Sequence, residues 1–117
     1  MKSKTLNSKS ISKPKQTEKS IMLGIMQALS FKGWQIFRMP PAIYAKAGIP
    51  DLIAIKQGVH VWIEVKREDG KLSPAQERYI QLLSEAGAEV IVARSVDYAV
   101  SKCEAIINNL KFLKGGE

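Results

Sequence analysis

Residues 51–66 constrain the fold more than any other stretch of the chain. Val59, Val61, Ile63 and Val65 alternate with His60, Trp62, Glu64 and Lys66, the period-two pattern of a strand whose faces differ. Just upstream, Asp51 to Ile55 is a second strand-like run, and the two are joined around Gln57-Gly58. A hairpin closing tightly on those two residues pairs Lys56 with Val59 and sets Asp51 opposite Glu64 on one face; Gly58 suits such a turn. A three-residue turn would instead set Asp51 against Ile63, on the wrong face. Directly opposed residues have Cβ atoms ~4.5–5.5 Å apart, close enough for two carboxylates to share an ion.

That register gives the hairpin a chemistry. Glu64 and Lys66 share a face because they are two residues apart, which a directly adjacent pair would not. Two neighbouring carboxylates repel unless a cation neutralises them. Mg²⁺ takes oxygen ligands and keeps several waters, so Asp51, Glu64 and the Val65 carbonyl form a candidate metal site. Such a site activates water against a phosphodiester, with Lys66 placed to orient the water or screen growing negative charge. The plainer alternative is a surface carboxylate pair with a lysine ion pair, since charged residues at strand ends are common.

The rest of the chain supplies the layers. Ile21, Met22, Ile25, Met26 and Leu29 fall at helical spacing, with Thr17 as N-cap and Gly33 as stop. Trp34 to Arg38 reads as a first strand, and Met39 to Pro50, with three prolines and a glycine, as a loop. Ser73-Pro74 with Gln76 has the signature of a capping box opening a helix that runs to about Gly87. Glu89 to Ala93 is a fourth strand, and Ser95 caps a last helix whose stripe is Val96, Val100, Cys103, Ile107 and Leu110. The expected fold is α/β, a mixed central sheet flanked by helices in the order α-β-β-β-α-β plus a C-terminal helix. The third and fourth strands are parallel across a helical crossover.

Length and charge bound the function. A chain of 117 residues is one domain with or without a tail: a basic, disordered arm over 1–16 and a folded domain over 17–117. The arm holds five lysines and no acid, whereas the rest holds 13 Lys/Arg against 11 Asp/Glu. A polyanionic partner is the natural reading of such an arm; a merely solubilising tail is the alternative. No apolar run approaches the ~18 residues of a membrane span, and no secretory signal opens the chain. A single cysteine fits a reducing cytoplasm, and one Cys with one His is too few for the usual zinc sites.

Gly48-Ile49-Pro50-Asp51-Leu52 before one strand, Trp62-Ile63-Glu64-Val65-Lys66 in the next, and Gly70-Lys71-Leu72-Ser73-Pro74-Ala75-Gln76 opening the following helix together resemble the VRR-NUC family of the PD-(D/E)xK nuclease superfamily. The resemblance spans about residues 17–100, and its most specific part is 48–76. It implies a restriction-endonuclease-like core and a Mg²⁺- or Mn²⁺-dependent nuclease with no organic cofactor. On this likeness Asp51, Glu64 and Lys66 are the catalytic acids and lysine, Glu18 an acid supporting the metal, and Gln76 a glutamine of the site. Glu18 in a first helical turn is also favoured by the helix dipole alone, and Gln76 also serves the capping box. With little appended to the core, the chain resembles stand-alone phage and bacterial members. That implies a homodimer cutting branched DNA such as four-way (Holliday) junctions, in the work of DNA repair and recombination.

Other residues carry weaker signals. Arg38, Tyr44, Lys46 and Lys71 flank the path to the acids and are candidate phosphate contacts. Trp62 either stacks on a base or packs under the first helix. His60 is four residues before Glu64, roughly 13 Å along a strand, too far to share its metal. Cys103 reads as a buried thiol, and Met22 and Met26 as core. Two rivals remain open: a non-catalytic nucleic-acid-binding protein acting through its arm, and a nuclease for linear DNA or RNA.

Overall fold

The structure is a computed structural model and describes residues 15–41 and 47–115. The expected arm, except Lys15 and Gln16, lies outside the described residues, as do Tyr44 and Lys46. Elements run α1 (Glu18–Phe31), β1 (Gln35–Arg38), β2 (Leu52–Lys56), β3 (Val59–Val65), α2 (Pro74–Glu85), β4 (Glu89–Ala93) and α3 (Val96–Gly115). This is the restriction-endonuclease-like order α-β-β-β-α-β with a further helix.

Local chemistry starts and stops each element. Thr17 caps α1, its side chain accepting from the Ser20 amide at 3.0 Å, and Ser95 caps α3 by accepting from the Tyr98 amide at 3.1 Å. The hairpin turns on Gln57 and Gly58, with φ of 51° and 79°, the doubly left-handed turn whose twist matches antiparallel strands. Its register pairs Lys56 with Val59 and Leu52 with Ile63, the even register on which the Asp51–Glu64 meeting depends. The sheet order is β1-β2-β3-β4, antiparallel except for the β3–β4 pair. That parallel pair is joined through α2.

The core lies on one face of the sheet. Leu52 and Ala54 of β2, the odd-numbered residues of β3, and Ile91 and Ala93 of β4 pack with Ile21, Ile25 and Leu29 of α1 and Ala99, Cys103 and Ile107 of α3. Each fully buried aliphatic side chain contributes about 1.5–3 kcal/mol to this packing. Trp34, expected to begin β1, precedes it; it is buried, and its indole N–H donates to Glu104 at 3.0 Å. Trp62 lies on the opposite, half-buried face, so it does not pack under α1 as one reading had it. Its even position in β3 turns it away from the helix pair that the odd positions meet. Among the described residues, no helix is long and apolar enough to cross a membrane.

Candidate active site

At one end of the sheet, the backbone brings three segments together. Asp51 immediately precedes β2, Glu64 and Val65 end β3, and Gln76 sits in the first turn of α2. They line a cavity of about 230 Å³ with Glu18, Lys19, Met22 and Arg38. The paired register, extended one step beyond Leu52 and Ile63, faces Asp51 with Glu64.

The segment before Asp51 is held closely against α2. Gly48 has φ of +78°, and a Cβ added there would come within 2.8 Å of the Gln76 nitrogen and nearer still to the Ala75 carbonyl. Only a glycine permits both that conformation and that approach. The Gly48-Ile49-Pro50-Asp51 run thus has a steric reason: it docks the first acid beside the helix that carries Gln76. Asp51 is then fixed from the other side, its Oδ2 accepting from the Val65 amide at 2.7 Å.

Gln76 makes together the contacts of both roles that the sequence allowed it. Its Oε1 accepts from the Ser73 amide at 2.8 Å, while its own amide donates to Ser73 Oγ at 3.1 Å, completing the capping box. Its Nε2 donates to Glu64 Oε2 at 3.2 Å. One planar amide therefore both starts the helix and holds the second acid.

The carboxyls are strongly perturbed. Glu64 is only 1% exposed, and burial, then the neighbouring Asp51 charge, push its carboxyl up to about 8, against the opposing pull of Lys66. Asp51 is also raised, mainly by burial, although the Val65 amide works the other way. Among the described residues, Glu64 Oε1 is buried with no hydrogen-bond partner, a costly condition for a carboxylate oxygen. A cation beside it would satisfy that oxygen and lower both carboxyls at once. The donor set is all oxygen and fits a hard divalent ion such as Mg²⁺ or Mn²⁺.

The remaining candidates surround this pair. Lys66 Nζ lies 3.7 Å from Glu18 Oε2, with the lysine side chain 13% exposed. Glu18 thus pairs with the lysine while lining the same cavity as the two acids. Among the described residues, no three His, Cys, Asp or Glu side chains converge to hold a metal. Arg38 lines the cavity from the end of β1, and Lys71 is exposed on the loop between β3 and α2. The cavity-lining Lys19 escaped the sequence reading. Its adjacency to Glu18 was the available signal, but which helical face met the sheet end was not visible.

This topology, with an acid pair at the strand ends and a lysine two residues on, defines the restriction-endonuclease-like class to which the PD-(D/E)xK nucleases belong. Within the chain, residues 43–97 match the model of the VRR-NUC domain family. Two solved structures are similar. One described as a VRR_NUC domain is 24% identical, with a TM-score of 0.65 over 76% of this chain and 97% of the other. One described as a VRR_NUC domain protein is 23% identical, with a TM-score of 0.63 over 78% of this chain and 88% of the other. At these identities the likeness is one of fold. No curated protein matches the chain.

Proposed function

We propose that this protein is a divalent-cation-dependent endonuclease that hydrolyses DNA phosphodiester bonds, with branched DNA such as four-way junctions as its preferred substrate. The observation that carries the reading is the buried Asp51–Glu64 pair, with a Glu64 oxygen lacking a hydrogen-bond partner among the described residues, beside a cavity that both acids line with Arg38 and Lys19. Asp51 and Glu64 would hold Mg²⁺ or Mn²⁺, with the Val65 carbonyl as a further oxygen and Glu18 in support. Once bound, the ion supplies Lewis acidity, lowering the pKa of water and offsetting charge on the phosphate.

The protein's own residues do the rest. Gln76 orients Glu64 through its amide. Lys66 presents an ammonium to the nucleophilic water or to charge developing on the phosphate, and Glu18 holds that ammonium at the rim. Arg38, Lys19 and Lys71, with Tyr44 and Lys46 of the 42–46 segment, bind flanking phosphates. The arm over residues 1–16 adds sequence-independent attraction to the backbone. A homodimer in the cytoplasm suits the task, since a symmetric junction offers two equivalent strands to two equivalent sites.

The test is incubation of pure protein with labelled four-way junction, flap and linear DNA, in Mg²⁺ or in EDTA. Cutting is expected in Mg²⁺ only, and greatest on the junction. Glu64→Ala and Lys66→Ala are expected to bind DNA without cutting it. Wild type and Glu64→Ala behaving alike on every substrate would remove the enzyme reading. Salt-sensitive binding without cutting, lost on deleting residues 1–16, would put a non-catalytic binding protein in its place.

A further inference from the structure

Arg94 stands outside the acid–lysine constellation, yet it holds the chain that connects its parts. The loop from Lys66 to Ser73 joins the lysine to the helix of Gln76. Within it, Arg67 to Gly70 form a turn closed by the Gly70 amide donating to the Arg67 carbonyl at 3.0 Å. Three carbonyls of this turn face one guanidinium nitrogen. The two N–H bonds of Arg94 Nη1 are shared among the oxygens of Arg67 at 2.9 Å, Gly70 at 2.6 Å and, more distantly, Glu68 at 3.3 Å.

The base of that side chain is itself rigid. Arg94 follows Ala93, which is fully buried, pairs with Val65, and accepts from the Lys66 amide at 3.0 Å. It precedes Ser95, the cap of α3. A residue placed directly between the last pair of an edge strand and a capped helix has little backbone freedom. The turn it grips also lies close to the start of α1: Lys15 Nζ meets Asp69 Oδ2 at 3.0 Å, and a Cβ added at Gly70 would lie at ordinary contact distance, 3.4 Å, from Glu18 Oε2.

We propose that Arg94 is a positioning residue whose guanidinium, by gathering the Arg67, Glu68 and Gly70 carbonyls, fixes the loop that sets Lys66 relative to Glu64 and Gln76. The consequence for catalysis rests on the nuclease reading; the consequence for the loop does not. A planar guanidinium on a rigid stem suits the task better than an ammonium, and charge-assisted bonds to backbone oxygens are the stronger kind. Because geometry at the reacting centre is unforgiving, a loosened loop lowers turnover without touching substrate.

Limited trypsin digestion followed by mass spectrometry, without DNA or metal, reads the loop directly. In Arg94→Ala, cleavage after Arg67 and Lys71 is expected to rise about tenfold, with cleavage after Lys32 and Lys56 unchanged; Arg94→Lys should recover part of the protection. Uniform acceleration at all four positions would overturn the proposal, as would no change after Arg67 and Lys71. On DNA, Arg94→Ala should lower kcat by an order of ten or more at unchanged KM and unchanged salt dependence. A raised KM with a shallower salt dependence would make Arg94 a phosphate contact and likewise overturn it. If wild type cuts nothing, the nuclease reading fails while the digestion result still decides the role of Arg94 in the loop.

Discussion

Glu64 is the residue on which the site turns. A carboxyl with an ordinary value of 4.5 that burial raises to about 8 binds its proton more tightly folded than unfolded. The stabilisation is therefore complete below pH 4.5 and is lost as pH rises through about 8. Urea unfolding in EDTA is expected to show stability falling across that window, by a few kcal/mol, and Glu64→Gln is expected to flatten the fall. At alkaline pH, Mg²⁺ should restore stability to wild type and not to Glu64→Gln. Gly48 is the second residue with a sharp expectation. Gly48→Ala forces a left-handed backbone on alanine and drives a methyl into the α2 backbone, so a loss of about 2 kcal/mol or more is expected from chemical denaturation. The acids at 51 and 64 were legible because strand alternation and a two-residue turn fix which side chains face each other. The role of Gly48 was not, because its neighbour is Ala75, across a gap of sequence that no local pattern bridges.

Elements were legible where their signals are local. The cap at Thr17, the capping box at Ser73, the Gln57-Gly58 turn and the span of β4 all follow from a few adjacent residues. Trp34 and Trp62 mark the boundary of that method. Trp34 is anchored by Glu104, 70 positions away, and the side on which Trp62 emerges depends on which sheet face the helices cover. Arg94 belongs with them, since its partners are loop carbonyls 24 to 27 positions back. The double duty of Gln76 gives an element-scale experiment. Gln76→Glu keeps an acceptor for the Ser73 amide and places an acid in the first turn of α2, where the helix favours it. It also replaces the donor to Glu64 with a second carboxyl. Helix content by circular dichroism should be retained, whereas cleavage should fall about 10–100-fold, the usual cost of losing a group that orients a metal ligand. Equal losses from Gln76→Glu and Gln76→Ala in both helix content and cleavage would assign Gln76 to capping alone.

At the scale of the whole molecule, α1, α3 and one sheet face form a single cooperative core, and Cys103 reports on it. The thiol is fully buried, and burial pushes it up to about 12, so little reactive thiolate forms near neutral pH. Alkylation by iodoacetamide should be slow in native protein, fast in urea, and should track global unfolding in between. Rapid native labelling would mean that the α3 side of the core opens independently. The site sits at the other extreme, where the ends of α1, β2, β3 and α2 meet. The account's central claim is that this meeting point is built to receive a divalent cation between Asp51 and Glu64. Calorimetric titration of Mg²⁺ or Mn²⁺ into DNA-free protein, in buffers of different ionisation enthalpy, tests it most directly. The account expects binding that releases a proton below about pH 8, strengthens as pH rises toward that value, and weakens at least tenfold in Glu64→Gln. Equal affinity in wild type and Glu64→Gln, with no proton released, would contradict it.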